Sequence, residues 1–221
     1  MCSAIKVPVI VDADTGYGGV DSVIRTLAEL EAAGAAGTVL ENQVTPKVCG
    51  HSSHKQVISL DMYLKKLNAV LRCRQTDMVI VARTDSMDLS DAIIRAKAFY
   101  AAGADIILID GLSSLDALKR VADEVPGHKQ VNLIQGGKTP ILSAKELHQN
   151  YGFKVVQYST PTLYIAAHAL RKAMALLHSE HDLDAIKSQS PEMPAFQSFI
   201  MKHYAQRPEQ LATGTDVVTT Y

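Results

Sequence analysis

Six short runs of apolar and β-branched residues alternate along this chain with longer stretches that carry apolar residues at helical spacing. The runs occupy residues 8–13, 38–41, 78–82, 104–109, 130–134 and 154–158. Their apolarity is continuous rather than alternating, which is typical of strands that are covered on both faces. Six strand-then-helix units in succession predict a parallel sheet, either open and doubly wound or closed as a barrel.

The stretches between and after these runs predict helices over residues 20–33, 60–71, 92–102, 115–125, 144–151 and 162–178. Gly34 and Gly103 are predicted to end the first and third helices, and Ser114 and Ser143 to cap two others. Because no linker rich in Pro, Gly or Ser precedes residue 182, we predict one barrel domain over residues 1–182.

The rest of the chain, residues 183–221, predicts a helical and irregular tail. Within it, residues 188–194 favour a loop and residues 195–203 a short helix. Residues 210–221 are polar and are expected to fray.

Composition excludes several classes of protein. A net charge of −1 gives no basic field for nucleic acid or an acidic membrane surface, and no apolar run is long enough to span a membrane. Three widely spaced cysteines, Cys2, Cys49 and Cys73, argue against a disulfide scaffold and favour a reducing compartment, the cytoplasm. No secretory signal is visible, and an organellar destination stays open if further residues precede Met1.

Polar residues follow five of the predicted strands, at the edge where the active sites of parallel α/β proteins form. They are DADTGYG at 12–18, ENQ at 41–43, RTD at 83–85, DG at 110–111, and Asn132 with QGG at 135–137.

The carboxylates at this edge are expected to converge on one small volume. Like charges at close range repel, so they require a cation or raised pKa values, and oxygen ligands suit Mg²⁺ or Mn²⁺. Asp12 and Asp14 are the leading metal ligands, one bound directly and the other through water. The alternative is that these residues are helix caps and turn residues.

Arg83 ends a strand whose preceding residues are apolar. A guanidinium held there can bind a carboxylate with two hydrogen bonds, which predicts substrate binding. The alternative is a buried salt bridge with Asp85 or Glu41.

A long polar segment, VTPKVCGHSSHK at residues 44–55, follows the second strand and predicts a lid. Cys49 lies beside Lys47 and His51, both of which favour a thiolate. This setting indicates catalysis rather than packing, so all three are candidate catalytic residues.

Two glycine-rich motifs fail as nucleotide loops. In a dinucleotide motif built on residues 16–19, the last glycine would fall on Asp21. In a phosphate loop built on residues 136–139, the first glycine would fall on Asn132, and Pro140 stands where a helix should begin.

Five motifs, in order, resemble the isocitrate lyase / phosphoenolpyruvate mutase superfamily. They are DADTGYG at 12–18, ENQ at 41–43, PKVCGH at 46–51, ARTD at 82–85 and GGKTP at 136–140. The likeness is above all to its short members: 2-methylisocitrate lyase, oxaloacetate acetylhydrolase and the plant 2-alkylmalate lyases.

The resemblance implies a TIM-type (β/α)8 barrel whose eighth helix swaps between the subunits of a dimer or tetramer. It implies a small carboxylic-acid substrate and a Mg²⁺ site, with Asp12, Asp14, Glu41 and Asp110 as the predicted metal residues. The predicted substrate-binding residues are Tyr17, Gly18, Gly50, Arg83, Asn132 and Gln135.

Cys49 is, by the same resemblance, the acid that protonates a departing enolate. Phosphonate-processing members lack this cysteine, so it favours a carbon–carbon lyase acting on 2-methylisocitrate-like or 2-alkylmalate-like acids. An oxaloacetate hydrolase or decarboxylase is the alternative on the same site, and Ser159 and Thr160 are the residues expected to decide between them. A non-catalytic barrel remnant is the third reading.

The sequence also departs from the family. Asn42 replaces Asp, Asp110 and Gln135 replace Glu, and His54 replaces a lid glycine. A barrel of this kind has eight strands, whereas six are found here, so we predict that the first two strand–helix units are absent.

Overall fold

The computed structural model describes residues 2–181 and 183–204. Strands and helices alternate as the sequence predicts. The elements are β1 (Ile10–Asp12), α1 (Val20–Ala32), β2 (Gly37–Glu41), α2 (Leu60–Cys73), β3 (Val79–Thr84), α3 (Leu89–Ala102), β4 (Ile106–Ile109), α4 (Leu115–Glu124), β5 (His128–Leu133), α5 (Ala144–Tyr151), β6 (Val155–Tyr158), α6 (Pro161–Glu180) and α7 (Met193–Tyr204), with short 3-10 helices at Cys2–Ala4 and Leu183–Gln189.

Each strand pairs in parallel with the next strand along the chain, from β1 to β6. A doubly wound sheet reverses its strand order at a switch point, whereas a barrel wall runs in chain order. The prediction of a barrel-type parallel fold with six strands is therefore confirmed.

The two faces of the sheet bury different amounts of apolar surface. The outer face packs against the helices and forms the main core, with Leu40, Ile80, Ile107, Leu67, Phe99 and Leu118 among its buried residues. A small second cluster on the inner face contains Val39, Val81 and Leu108. Side chains two residues apart on a strand share a face, so Glu41, Arg83 and Asp110 follow this cluster on the inner face at the carboxyl edge.

The chain divides into two compact units, one ending at Pro161 and the other beginning at Thr162. The first contains the sheet and α1–α5. In the second, α6 contains no buried residue, and four of its apolar side chains are more than three-fifths exposed: Leu163, Ile165, Leu170 and Met174. The predicted domain boundary at residue 182 stays a prediction.

Several helix boundaries differ from the sequence predictions by one to three residues, and two of these differences have a clear physical reason. Helix α3 begins at Leu89, three residues early, because the Asp88 carboxylate caps it by accepting hydrogen bonds from the Ser90 and Asp91 amides. The predicted loop at 188–194 is wrong at its end, because α7 begins at Met193 and Pro194 fits a first helical turn. The predicted frayed segment 210–221 lies outside the described residues, and no described helix is long and apolar enough to cross a membrane.

Candidate active site

Three carboxylates meet at the carboxyl edge of β1 and β2. One oxygen from each of Asp12, Asp14 and Glu41 lies within 4.8 Å of the other two. Asp12 ends β1, and the Asp14 amide donates to Asp12 Oδ1 at 2.9 Å with Asp14 at a φ of 49°. A turn, rather than continued extended strand, therefore brings Asp14 to the same side as Asp12.

Glu41 is the buried member of this acidic cluster, with 0% exposure. Neither of its carboxylate oxygens accepts a hydrogen bond from a described residue, although Arg83 Nη1 lies 3.3 Å from Oε2. Burial raises the pKa of Glu41 to about 7, against the opposing charge of Arg83. A buried carboxylate with unused oxygens fits a cation ligand.

Lys47 reaches this cluster from the polar segment after β2. Its Nζ lies 2.5 Å from Asp14 Oδ1 and 3.9 Å from Glu41 Oε2. Lys47 and Asp14 are both partly exposed, so this pair stabilises the fold little. It does place a cation of the Cys49 segment directly on the acidic cluster.

Arg83 is held by three carboxylates. Its Nε and Nη2 donate to Asp85 at 2.9 and 3.0 Å, and Nη2 also lies 2.8 Å from Asp110 Oδ2. The third carboxylate is that of Glu41, which the β2–β3 register pairs with Arg83. The buried salt bridge that the sequence left as an alternative is thus formed, and substrate binding by Arg83 stays a prediction.

Asp110 is not a member of the Asp12–Asp14–Glu41 cluster, and its predicted place among the metal residues stays a prediction. Its carboxylate accepts from Asn132 Nδ2 at 3.0 Å and contacts Arg83, and His51 Nε2 lies 3.4 Å away. Burial alone would raise the pKa of Asp110, but these partners outweigh it and hold the pKa at about 2. Arg83 contacts both Glu41 and Asp110, so its positive charge lies between the two carboxylates.

Cys49 is exposed, within a turn that packs against these buried charges. The Ser52 amide donates to the Cys49 carbonyl at 2.8 Å and closes the turn. A side chain at Gly50 would overlap the Asp110 carboxylate and the Arg83 guanidinium. The turn that carries Cys49 therefore needs glycine at position 50.

His51 points into the protein, with its side chain 5% exposed. Its Nδ1 accepts a hydrogen bond from the Lys138 amide at 2.9 Å, so this nitrogen carries no proton. Nε2 faces Asp110 Oδ1 at 3.4 Å without a hydrogen bond among the described residues. The structure thus gives His51 an anchoring contact, and its predicted catalytic role is untested.

The remaining predicted substrate residues fall into two groups. Tyr17, Gly18 and Gln135 are exposed, and Tyr17 and Gly18 adopt φ angles of 57° and 149° in the turn after β1. Asn132 is buried, and its Oδ1 accepts a short hydrogen bond from Ser159 Oγ at 2.5 Å.

Sequence reasoning missed two buried contacts of Asp85. Asn42 accepts from the Asp85 amide and donates to Thr84 Oγ1, so it joins the ends of β2 and β3. Lys55 is buried, with Nζ 3.4 Å from Asp85 Oδ1 and 3.2 Å from the Asp110 carbonyl. Neither Asn42 nor Lys55 belongs to a periodic pattern in the sequence. A lysine in a polar segment is ordinarily expected to be exposed.

A parallel barrel wall with a carboxylate cluster and a cysteine-bearing turn at its carboxyl edge defines the class of α/β-barrel proteins whose site lies at that edge. Within this class, the family described as phosphoenolpyruvate phosphomutase matches residues 1–178. The chain belongs to the phosphoenolpyruvate mutase / isocitrate lyase superfamily, which confirms the resemblance drawn from its motifs.

Individual relatives support the same family assignment. The chain is 39% identical over 171 residues to 2,3-dimethylmalate lyase of Eubacterium barkeri, covering 76% of this chain and 59% of the relative. It is 39% identical over 185 residues to 2-methylisocitrate lyase of Halalkalibacterium halodurans, covering 82% and 61%. A structure of oxaloacetate acetylhydrolase with the inhibitor 3,3-difluorooxalacetate matches at a TM-score of 0.82 and 30% identity, covering 94% of this chain and 71% of that one. The chain thus spans about three-fifths of the length of these curated relatives.

Proposed function

We propose that this protein is a Mg²⁺-dependent carbon–carbon lyase that acts on small 2-hydroxy or 2-oxo di- or tricarboxylic acids. The observation that carries the proposal is the Asp12–Asp14–Glu41 cluster, in which buried Glu41 offers two oxygens that accept no hydrogen bond from the described residues. Lys47 joins this cluster to the Cys49 turn. Two relatives of 39% identity are named as lyases of branched hydroxy acids.

Asp12, Asp14 and Glu41 would hold the metal, and their hard oxygen donors suit Mg²⁺ or Mn²⁺. When bound, the ion would stabilise negative charge that develops on the substrate oxygen atoms. Asp110 is not included, because Arg83, Asn132 and His51 surround its carboxylate.

The proposed reaction is a retro-aldol cleavage, which requires a base and an acid. A base takes the proton of the 2-hydroxyl group, the C2–C3 bond breaks, and C2 becomes the carbonyl of a 2-oxo acid. The electron pair of the broken bond leaves with C3 as an enolate. Cys49, exposed on its turn, gives the thiol proton to C3.

Substrate carboxylates need cationic or amide partners at this edge. Lys47 is the half-exposed cation nearest the acidic cluster and is suited to a substrate carboxylate. Tyr17, Gly18 and Gln135 offer exposed groups around it. Arg83 is buried among the carboxylates of Glu41, Asp85 and Asp110. It can therefore bind a substrate carboxylate only if that carboxylate replaces one of these three.

A hydrolase or decarboxylase of oxaloacetate is the second candidate on the same site. The 30% identical structure of oxaloacetate acetylhydrolase favours it. Ser159, which donates to Asn132 after β6, is the residue whose replacement should distinguish the two reactions.

We also propose a homodimer or homotetramer in which the C-terminal helix is exchanged between subunits. The support is the apolar exposure of the second unit, on α6 and also at Phe196 and Phe199 of α7, which are 54% and 57% exposed. Sedimentation of the purified protein tests this: a monomer at micromolar concentration would contradict it.

The direct test of activity is release of a 2-oxo acid. Purified protein with Mg²⁺ should cleave 2-methylisocitrate or a 2-alkylmalate, and chelation of the metal should stop the reaction. Turnover of oxaloacetate alone would select the hydrolase or decarboxylase. Tight Mg²⁺ or oxalate binding without turnover of any acid would select the non-catalytic remnant.

A further inference from the structure

The segment that carries Cys49 is closed at its base and held at two internal points. Gln43 and Val57 form an antiparallel bridge, and the Val44 amide donates to the Gln56 carbonyl at 2.8 Å. Residues 44–56 therefore leave and re-enter the fold at one place, and what happens inside this loop decides where Cys49 lies.

The first internal contact is made by the side chain of Gln43, which is 2% exposed. Its Nε2 donates to the Val48 carbonyl, and its Oε1 accepts from the Val48 amide, both at 3.0 Å. One amide side chain thereby satisfies both backbone groups of the residue before Cys49. Such a two-point contact fixes the direction in which the chain enters the turn.

The second contact comes from the Gly136–Thr139 motif, which fails as a phosphate loop. The Lys138 amide donates to His51 Nδ1 at 2.9 Å, and Lys138 Nζ donates to the Ser52 carbonyl at 2.8 Å. A side chain at Gly137 would overlap the His51 ring, so this glycine permits the approach. The motif therefore serves as a seat for the residues that follow Cys49.

We propose that Gln43 and Lys138 are positioning residues that fix the Cys49 turn from its two sides. Between them the turn is closed by the Ser52 amide and rests through Gly50 on Arg83 and Asp110. The thiol is left exposed on a backbone that is held before and after it. The effect on turnover rests on the proposed function, because a fixed thiol matters only if Cys49 delivers a proton.

Hydrogen–deuterium exchange of the full chain tests the positioning without any substrate. Gln43→Met is nearly isosteric and removes both contacts to Val48. We expect exchange in peptides from residues 44–56 to rise by roughly tenfold or more, while α2 stays protected. Lys138→Met should raise exchange around residues 49–52, and Lys138→Arg, which keeps a donor for the Ser52 carbonyl, should restore much of the protection.

Lys145→Met is the matched control, since Lys145 is an exposed lysine on the neighbouring helix α5. Its exchange pattern should equal that of the wild type. If Gln43→Met does not fold, the comparison of Lys138→Met with Lys138→Arg alone tests the positioning role. Unchanged loop exchange in Lys138→Met, or no difference between Lys138→Met and Lys138→Arg, would overturn the proposal.

Kinetics add a second readout that a purely structural role would not give. In an active enzyme, both methionine variants should lower kcat by roughly tenfold or more with little change in KM, because the thiol is misplaced while substrate still binds. A wild type that shows loop protection but no turnover would leave the positioning intact and refute the proposed function instead. An equal fall in loop-variant and Lys145→Met activity would contradict the positioning role.

Discussion

Glu41 and Arg83 are register partners on β2 and β3, and Glu41 Oε2 lies 3.3 Å from Arg83 Nη1. The contact leaves both carboxylate oxygens of Glu41 without a hydrogen bond from the described residues. On its other side Arg83 engages Asp85 and Asp110. One guanidinium thus separates an acidic cluster that can accept a cation from a carboxylate pair that is already neutralised.

The first prediction concerns the cluster itself. Glu41→Gln should weaken Mg²⁺ binding by more than roughly tenfold, because an amide oxygen replaces a charged ligand. Folding stability should change little, since burial already raises the pKa of Glu41 to about 7 and Arg83 keeps two other carboxylates. Isothermal calorimetry with MgCl₂ measures the affinity.

Asp21→Asn is the control for this measurement. It removes the same unit of charge from the exposed first turn of α1, at a residue that is not a member of the cluster. Equal losses of affinity in the two variants would mean that net charge, and not Glu41, governs metal binding.

The second prediction concerns the thiol. Cys49→Ser should lower the rate of 2-oxo acid release roughly 100-fold or more, since a hydroxyl is a much weaker acid than a thiol. The melting temperature should not move, because Cys49 is exposed. Cys2→Ser provides the comparison. A Cys49→Ser variant with full turnover would refute the assigned role.

The third prediction is a pH dependence of stability that arises from Asp110, whose pKa is held at about 2. Between the pKa of the unfolded chain, near 4, and this value, the unfolded state binds more protons than the folded state. The contribution of Asp110 is therefore complete above pH 4 and is lost as pH falls towards 2, on the order of 2 kcal/mol in total.

Urea denaturation between pH 2.5 and 5 can isolate this contribution. The stability difference between the wild type and Asp110→Asn should shrink as pH falls through this window. A difference that does not depend on pH would show that Asp110 titrates normally in the folded protein.

The fourth prediction tests the close packing of Gly50, in the Cys49 turn, against Asp110 and Arg83. Gly50→Ala places a methyl group into the Asp110 carboxylate and the Arg83 guanidinium, so the turn must move or the ion pair must open. We expect a loss of about 1–3 kcal/mol in unfolding free energy, together with most of the activity. Circular dichroism during chemical denaturation measures the first quantity.

Gly19→Ala is its matched control, because an added Cβ at Gly19 meets no atom of the described residues within 4 Å and the φ of Gly19 is −78°. This variant should cost well under the Gly50 value. If both substitutions behave alike, the close packing at Gly50 is not what holds the turn.

The sequence predicted the sheet well, because continuous apolar runs and helical spacing are local signals that burial on both faces imposes. It also placed Asp12, Asp14 and Glu41 together, since parallel strands end at one edge. It could not predict that Asp110 pairs with Arg83, because that contact depends on how far the Arg83 side chain reaches across the sheet.

The burial of Lys55 could not be predicted from the sequence either. Lys55 sits in a polar segment, and only the folded position of Asp85 and of the Asp110 carbonyl shows why its charge is tolerated there. The same holds for Lys138, whose contacts with His51 and Ser52 could not be predicted from its motif. Contacts between segments that are far apart in the sequence leave no periodic pattern, so they cannot be predicted from one sequence.

The most direct test of the central claim is cleavage of 2-methylisocitrate or a 2-alkylmalate in D₂O with Mg²⁺, followed by mass spectrometry of the products. A carbon–carbon lyase in which Cys49 protonates the enolate should give a 2-oxo acid and an equal amount of a second acid that carries one deuterium on the carbon released from C3. Intact substrate after prolonged incubation, with Mg²⁺ bound to the acidic cluster, would contradict it.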